Sequence, residues 1–448
     1  MPPLEGKVYM VHRRLHAVAL GCPKNRVDVE AVVALAEREG FELTDDASSA
    51  DVILVATCGF IAEACQESIT TVLELDQVRR HGARLVVAGC LSQRFGEELA
   101  SALTEADAIV STASLPLVVD AVAGRGARLV VGAPSSDVTR VVGRRPSGRP
   151  GSAYLKVADG CSRRCAFCTI PAIRGPFRSR PIDEICDEAR ELARMGVREV
   201  NLVAQDLSAF GRDRPERGDE LAELLEALAR VDDLRWIRPL YLYPEARLRQ
   251  VMAVMAVTPR VVPYLDLPIQ HASDVVLKRM KRGHSSRLLA NLFETARRVI
   301  PQVSLRTTVI VGHPGEGAED FDALIGFIEK VRFDHLGAFR FSPEEGTASF
   351  DQPEKVSKRD AYNRYRRVMA VQRRISRQRC RARRGDTLEV LVEGMSEDSP
   401  LVFVGRHAGQ APEVDGVVYL DRPAEPGTMV TVRITDSGDY DLFGEVVE

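Results

Sequence analysis

Short runs of β-branched and aliphatic residues alternate with segments whose apolar positions recur every three or four residues, and the alternation changes character twice along the chain. In the first block, from about His16 to Val142, the strand-like runs HAVALG, ADVILVATCGF and ARLVVAGC are separated by helical patterns: VEAVVALAEREG, a segment from Glu67 to Arg79, and a helix after Phe95. Strands separated by helices pair in parallel, because the crossover returns the chain to the same end of the sheet. The stretch GRRPSGRPG, Gly143 to Gly151, then reads as a linker. The second block, Ser152 to about Phe350, holds six strand candidates: AYLKVA, REVNLVA, IRPLYLY, VVPYLDL, VSLRTTVIV and HLGAFRF. Six strand–helix units predict a partial (β/α)6 barrel with its chemistry at the C-terminal strand ends. A helix from about Lys355 to Arg384, with 13 Lys/Arg and one acid, leads to five short strand patterns with turn residues between them, which predict a small β-barrel. The expected fold class is α/β. Its domains are a parallel-sheet domain over 16–142, a partial barrel over 152–380 that includes the basic helix from about 355, and a C-terminal β-barrel over 385–448.

Composition narrows the class. Of 448 residues, 45% are hydrophobic and 28% charged, the balance of a soluble globular chain. No run of 18 apolar residues and no signal-peptide core is present, so no membrane association and a cytoplasmic location are expected. A net charge of −3 carries no global nucleic-acid signature. Nine cysteines, an odd number without a secretory signal, point to metal or redox chemistry and away from a disulfide framework.

Cysteine spacing sharpens this. Cys161-Ser-Arg-Arg-Cys165-Ala-Phe-Cys168 packs three thiols into eight residues just after the first strand of the second block. Thiolates are the natural ligands of iron–sulfur clusters, and three ligands for four irons leave one iron open. A zinc site that borrows a fourth ligand is the competing assignment, but zinc hooks come in pairs and no second C-x-x-C lies nearby. Cys22, Cys58 and Cys90, in LGCPKN, ATCGF and AGCLSQR, form a second trio. Each follows a predicted strand, where open α/β sheets place ligands. Each also has a glycine beside it, so the backbone can approach a bulky inorganic group. Three buried free thiols are the alternative. Cys65, Cys186 and Cys380 match no motif and read as structural.

The C-x-x-x-C-x-x-C motif resembles that of the radical S-adenosylmethionine superfamily. The resemblance implies that the open iron binds S-adenosylmethionine and that Phe167 sits beside its adenine. With the upstream trio, the chain is similar to the methylthiotransferase family, which implies two 4Fe-4S clusters, the second on Cys22, Cys58 and Cys90. The segments GCPKNRVDVE, TCGFIAEACQESI, GCLSQRFGEEL, KVADGCSRRCAFCTIPAIRGPFRSR, AQDLSAFGRD, LDLPIQH, RTTVIVGHPGE and FRFSPEEGT resemble the branch called RimO. That branch methylthiolates the β-carbon of an aspartate in ribosomal protein S-twelve of the small subunit, which implies such a basic protein as partner, free or within the ribosome. The resemblance implies two uses of S-adenosylmethionine, one to methylate a sulfur at the auxiliary cluster and one cleaved to a radical. It also implies an electron donor such as flavodoxin or ferredoxin. Ala56 stands where that branch has Asn, and His313 where it has Phe; neither is a cluster ligand.

Polar residues at the predicted strand ends are the further candidates for holding the cofactor or substrate: Gln205, Asp206, Gln270 with His271, Arg306 and Glu316. No catalytic residue is assigned beyond the clusters. Arg174, Arg178 and Arg180 in RGPFRSR can fork onto carboxylates or form a solvated basic loop. The last block resembles a TRAM domain, a small barrel often used on RNA. Over Gly385–Glu448, however, 14 Asp/Glu stand against three Arg and no Lys, a net of −11. Phosphate binding needs Lys and Arg, so an acidic barrel favours a basic protein over tRNA. The basic helix either touches RNA or covers acidic surface of its own chain. The rival readings are a tRNA adenosine methylthiotransferase and, from another class, a non-catalytic metal-cluster protein that binds ribosomes.

Overall fold

A computed structural model describes residues 13–448 except 113, 135–137, 139, 215, 217, 219, 398 and 448. It forms two compact units. The first comprises Met1–Asp137, Val141–Arg145 and Ala172–Arg174, and the second Val138–Arg140, Pro146–Pro171 and Gly175–Glu448. No helix among the described residues is long and apolar enough to cross a membrane.

The first unit runs β1 (Arg13–Ala19), α1 (Pro23–Arg38), β2 (Phe41–Leu43), β3 (Val52–Thr57), α2 (Ala62–Val78), β4 (Arg84–Gly89), α3 (Cys90–Ala102), β5 (Ala108–Val110), α4 (Leu115–Val122) and β6 (Leu129–Val130). The strands form one parallel sheet in the order β2-β1-β3-β4-β5-β6. All six residues of β3 are buried. A central parallel strand is covered on both faces, so it reads as a continuous apolar run. Leu54 and Val86 enter one core layer, and Ile53, Val55, Leu85 and Val87 enter the other. The helix expected after Phe95 instead begins at Cys90, and the non-helical backbone at Gly96 kinks it. That glycine breaks the apolar period and hides the first turn from a pattern reading.

The second unit begins with β7 (Ser152–Lys156), β8 (Ala158–Asp159), α5 (Ile170–Arg174, its last three residues in the first unit), β9 (Arg178–Ser179), α6 (Ile182–Arg194) and β10 (Glu199–Val203). It continues with α7 (Leu221–Leu228), β11 (Trp236–Pro239), α8 (Leu248–Val257), β12 (Tyr264–Asp266), α9 (Asp274–Arg279), α10 (Ser286–Val299), β13 (Ser304–Val311), α11 (Ala318–Val331) and β14 (His335–Arg340). Strands β11-β10-β7 and β12-β13-β14 form parallel sheets, and an Ile237–Val261 bridge joins them into the open barrel that six units predict. The amphipathic spacing of α6 places Ile185, Ala189 and Leu192 in its core.

The basic segment forms α12 (Lys358–Arg381), capped by Ser357 Oγ, which accepts from Asp360 N at 3.0 Å. Ala361, Val368, Gln372 and Ile375 are its buried stripe. Its arginines meet acids of the same chain: Arg377 with Asp439 at 2.5 Å, Arg374 with Glu329 at 2.6 Å, and Arg384 with Asp436. Strands β15 (Thr387–Met395), β16 (Phe403–His407), β17 (Val418–Leu420), β18 (Met429–Ser437) and β19 (Leu442–Val446) close into a barrel in the order β15-β16-β17-β19-β18. Part of its formal acidity is internal or paired within the chain. Glu393 pairs with Arg406 at 2.5 Å, Asp415 accepts from Tyr264 Oη at 2.6 Å, and Glu413 accepts from Tyr154 Oη at 3.2 Å. The net charge of −11 therefore overstates the acidic surface.

Candidate functional site

Cys22, Cys58 and Cys90 follow β1, β3 and β4, three strands that are neighbours in the sheet. Thr57 and Gly89 are register partners, so the cysteines directly after them emerge side by side from adjacent strands. An added Cβ at Gly21 would come within 2.6 Å of Cys58 Cβ, and one at Gly59 within 2.7 Å of the Cys90 carbonyl oxygen. Only glycine permits that approach. Asn25 of the GCPKN run holds two loops together, its Nδ2 donating to Leu20 O at 2.8 Å and Ala56 O at 3.0 Å. Ser68 of α2 receives Cys58 N at 3.0 Å and donates to Cys58 O at 3.1 Å. Neither brace carries a distinct sequence signal. Burial pushes the Cys58 thiol up to about 12 and raises that of Cys90. Thiols in such surroundings stay protonated at neutral pH unless a metal takes the proton's place.

The second trio lies on the loop after β8. Asp159 orders its start, accepting from Gly160 N at 2.8 Å and Gln205 Nε2 at 2.6 Å and pairing with Lys156 at 3.2 Å. Cys161 N donates to Gly175 O at 3.1 Å, Ala166 N to Met280 O at 2.9 Å, and Cys168 N to Cys165 O at 3.2 Å. Two arginines that the sequence reading missed brace the loop. Arg163 pairs with Asp206 at 2.6 Å and lies over the Tyr243 ring at 3.9 Å. Arg282 lies 4.1 Å from the centre of that ring and points Nη1 at Cys165 Sγ, 3.5 Å away. Burial pushes Cys161 up to about 11 and Cys168 up to about 12. Each trio is thus a set of neighbouring thiols, one buried and two half-buried, the donor chemistry an iron–sulfur cluster requires. Among the described residues no three His, Cys, Asp or Glu side chains converge as a single-ion site would need.

The strand-end candidates separate into two groups. Gln205 Oε1 and Gln270 Oε1 are buried without a hydrogen-bond partner. Gln270 has φ of 68°, a left-handed backbone, and bridges to Val309 of β13. Phe167 is half-buried between two cysteines. The others make bonds or ion pairs within the chain, though His271 Nε2 and Glu316 Oε1 are likewise buried without a hydrogen-bond partner. Asp206 also accepts from Ser208 Oγ at 2.6 Å. Glu316 accepts from His313 N at 3.1 Å and pairs with Arg364 at 3.2 Å. His271 Nδ1 accepts from Ser273 N at 3.0 Å, which puts the proton of the neutral ring on Nε2, 3.8 Å from Glu316 Oε1. Arg306 is the third residue of β13, away from the strand's C-terminal end, and pairs with Asp266 at 3.1 Å and Asp415 at 3.4 Å. In RGPFRSR, Arg174 is buried against Asp28 at 2.7 Å, Arg180 is buried against Glu188 at 2.7 Å, and Arg178 is exposed. Cys65 and Cys186 lie in helices α2 and α6.

Three family descriptions match along the chain: Uncharacterized protein family UPF0004 over residues 14–111, the radical SAM superfamily over 155–328, and the TRAM domain over 385–447. The chain is 47% identical to the ribosomal protein uS12 methylthiotransferase RimO of Sorangium cellulosum, over 98% of this chain and 92% of that one. It is 46% identical to the protein of that name from Myxococcus xanthus, over 97% and 92%. For Geobacter sulfurreducens the identity is 43%, over 97% and 98%. Among solved structures, the radical S-adenosylmethionine methyltransferase TsrM of Kitasatospora setae shares the fold with a TM-score of 0.55 at 15% identity, over 73% of each chain.

Proposed function

The chain belongs to the ribosomal protein uS12 methylthiotransferase (RimO) family, and from that premise we propose that it is a radical S-adenosylmethionine enzyme that methylthiolates an aspartate β-carbon of uS12. The observation that carries this reading is the presence of two thiol trios, one at the C-terminal ends of the parallel strands β1, β3 and β4 and one on the loop after β8, on a chain related to RimO over nearly its full length. We assign Cys161, Cys165 and Cys168 to a cluster that binds S-adenosylmethionine, and Cys22, Cys58 and Cys90 to an auxiliary cluster. When bound, these groups supply the electron transfer and radical chemistry that side chains cannot, since a carbon–hydrogen bond beside a carboxylate resists acid–base catalysis.

The protein's own part is to hold and orient. Asp159, Arg163 and Arg282 fix the cysteine loop. Gln205 Oε1 and Gln270 Oε1 are buried acceptors suited to the amino or hydroxyl donors of S-adenosylmethionine, and that complementarity supports binding at these strand ends. Phe167 offers a ring face to the adenine. The domain boundaries of the sequence reading, 16–142, 152–380 and 385–448, are retained as functional divisions. The exposed acids of the last barrel, Glu397 and Glu425 among them, attract a basic ribosomal protein. A small redox protein of the flavodoxin or ferredoxin class serves as electron donor.

The test is one anaerobic reaction of reconstituted protein with dithionite, S-adenosylmethionine and either uS12, small ribosomal subunits or tRNA. The expected result is 5′-deoxyadenosine together with a methylthio mass shift on a uS12 aspartate. Methylthiolated tRNA with unmodified uS12 would overturn the assignment.

A further inference from the structure

Arg174 stands six residues after Cys168 in sequence, yet its side chain belongs to the first unit, where α1 and the start of α3 surround it. Only 3% of the residue is exposed. Its guanidinium donates to Asp28 Oδ2 at 2.7 Å through Nη1 and meets Asn25 Oδ1 at 3.5 Å through Nη2. Burial raises the Cys90 thiol, and the charge of Arg174 with a hydrogen bond from it opposes that rise. Asn25 is the residue that ties the Cys22 loop to the end of β3, so one polar cluster both gathers the cysteine loops and aims a cation at a thiol.

A guanidinium is charged at every accessible pH, and its fork is rigid. A structural ion pair with Asp28 alone would not require contact with a cysteine. Hydrogen bonds and positive charge at cluster sulfurs favour the more negative, reduced state, and they are among the factors that set cluster potentials. Asp28, ion-paired with the same guanidinium at 2.7 Å, opposes this with its negative charge.

We infer that Arg174 is a positioning residue for the auxiliary cluster, hydrogen-bonding the Cys90 ligand and raising that cluster's reduction potential. The inference rests on the assignment of a cluster to Cys22, Cys58 and Cys90.

The experiment is an EPR-monitored redox titration of the full-length, anaerobically reconstituted protein. The auxiliary signal is identified as the one that survives in C161A/C165A/C168A. Arg174→Gln should move the auxiliary midpoint to more negative potential and leave the other cluster where it was. Arg174→Lys, which keeps charge but loses the fork, should fall between. Asp28→Asn should move the auxiliary midpoint the opposite way, because it removes the carboxylate that offsets Arg174. That variant decides the matter if Arg174→Gln does not fold. Two clusters present with unmoved midpoints in the folded variants would overturn the inference and leave the two-cluster assignment standing. About four irons per chain, with no signal surviving in C161A/C165A/C168A, would overturn both.

Discussion

Glu199 and Arg406 are 207 residues apart in sequence and meet at 2.6 Å with both side chains fully buried. Glu199 opens β10 of the partial barrel and Arg406 projects from β16 of the C-terminal barrel. Arg238 joins the same carboxylate at 2.8 Å and Glu393 pairs with Arg406 at 2.5 Å. The two barrels are thus fastened by a buried charge network with hydrogen bonds on most of its atoms. Removing one partner of such a network typically costs about 3–5 kcal/mol, because it strands the other charge in a dry site. Arg406→Met should lower unfolding free energy by about that amount, measured by urea denaturation. A loss of under about 1 kcal/mol would mean the network is not closed in solution.

The same pair sets an acid limit. Burial pushes the Glu199 carboxyl up, but Arg406 and Arg238 outweigh it and hold the group at about 2. The folded value lies below the ordinary carboxylate value, so this contribution is complete above about pH 4.5 and is lost as pH falls toward 2. Denaturation curves from pH 6 to pH 2.5 should show that loss. Glu199→Gln, less stable at neutral pH, should lack this part of the slope.

His313 should impose a second pH dependence. It is buried, its Nε2 is 2.8 Å from Ser349 Oγ, and burial holds its ring down to about 4. An unfolded histidine takes its proton near 6.5, so stability is lost as pH falls from about 6.5 toward 4. His313→Phe should cost about 1 kcal/mol at pH 7 through the lost Ser349 bond. The gap to the parent should then narrow or reverse by pH 4.5, read by thermal unfolding at both pH values.

Cluster loading should divide by cysteine set. Reconstituted protein is expected to bind about eight irons, two cubanes. C161A/C165A/C168A should halve that and abolish 5′-deoxyadenosine formation. C22A/C58A/C90A should also halve it, lose methylthiolation and keep some S-adenosylmethionine cleavage. Mass spectrometry of both products in one reaction makes the comparison, and unchanged methylthiolation by the second variant would refute the auxiliary role.

Gln205→Leu and Gln270→Leu should each weaken S-adenosylmethionine binding about five- to tenfold, the worth of one hydrogen bond. Equilibrium binding to the reconstituted protein measures it. Gln270→Gly, which suits the positive φ, should bind as weakly as Gln270→Leu, separating the side chain's role from the backbone's.

Charge reversal on the last barrel tests recruitment only at exposed acids. Glu393 and Asp415 are internal, so reversing them tests folding and not recruitment. Glu397→Lys with Glu425→Lys should slow uS12 modification at low salt and matter less as salt rises. Equal rates at low salt would remove the barrel from substrate recruitment.

Local chemistry was legible along the chain. The six strand–helix units, the five strands of the last barrel and the strand-end positions of both cysteine trios all come from short-range periodicity and spacing, which neighbouring residues set. Strand order was not legible at that range. The trio Cys22, Cys58 and Cys90 gathers because β2 moves to the sheet edge and leaves β1, β3 and β4 adjacent, a choice made by long-range packing. The fate of charges was equally hidden. Net charge made the last barrel look like an acidic surface, while tertiary contacts spend Glu393 and Asp415 inside the protein and lay α12 against acids of its own chain. Arg306 and Arg174 show why. A sequence records that a side chain is charged, but its partner is whichever opposite charge the fold brings within about 3 Å, and burial then makes that pairing obligatory.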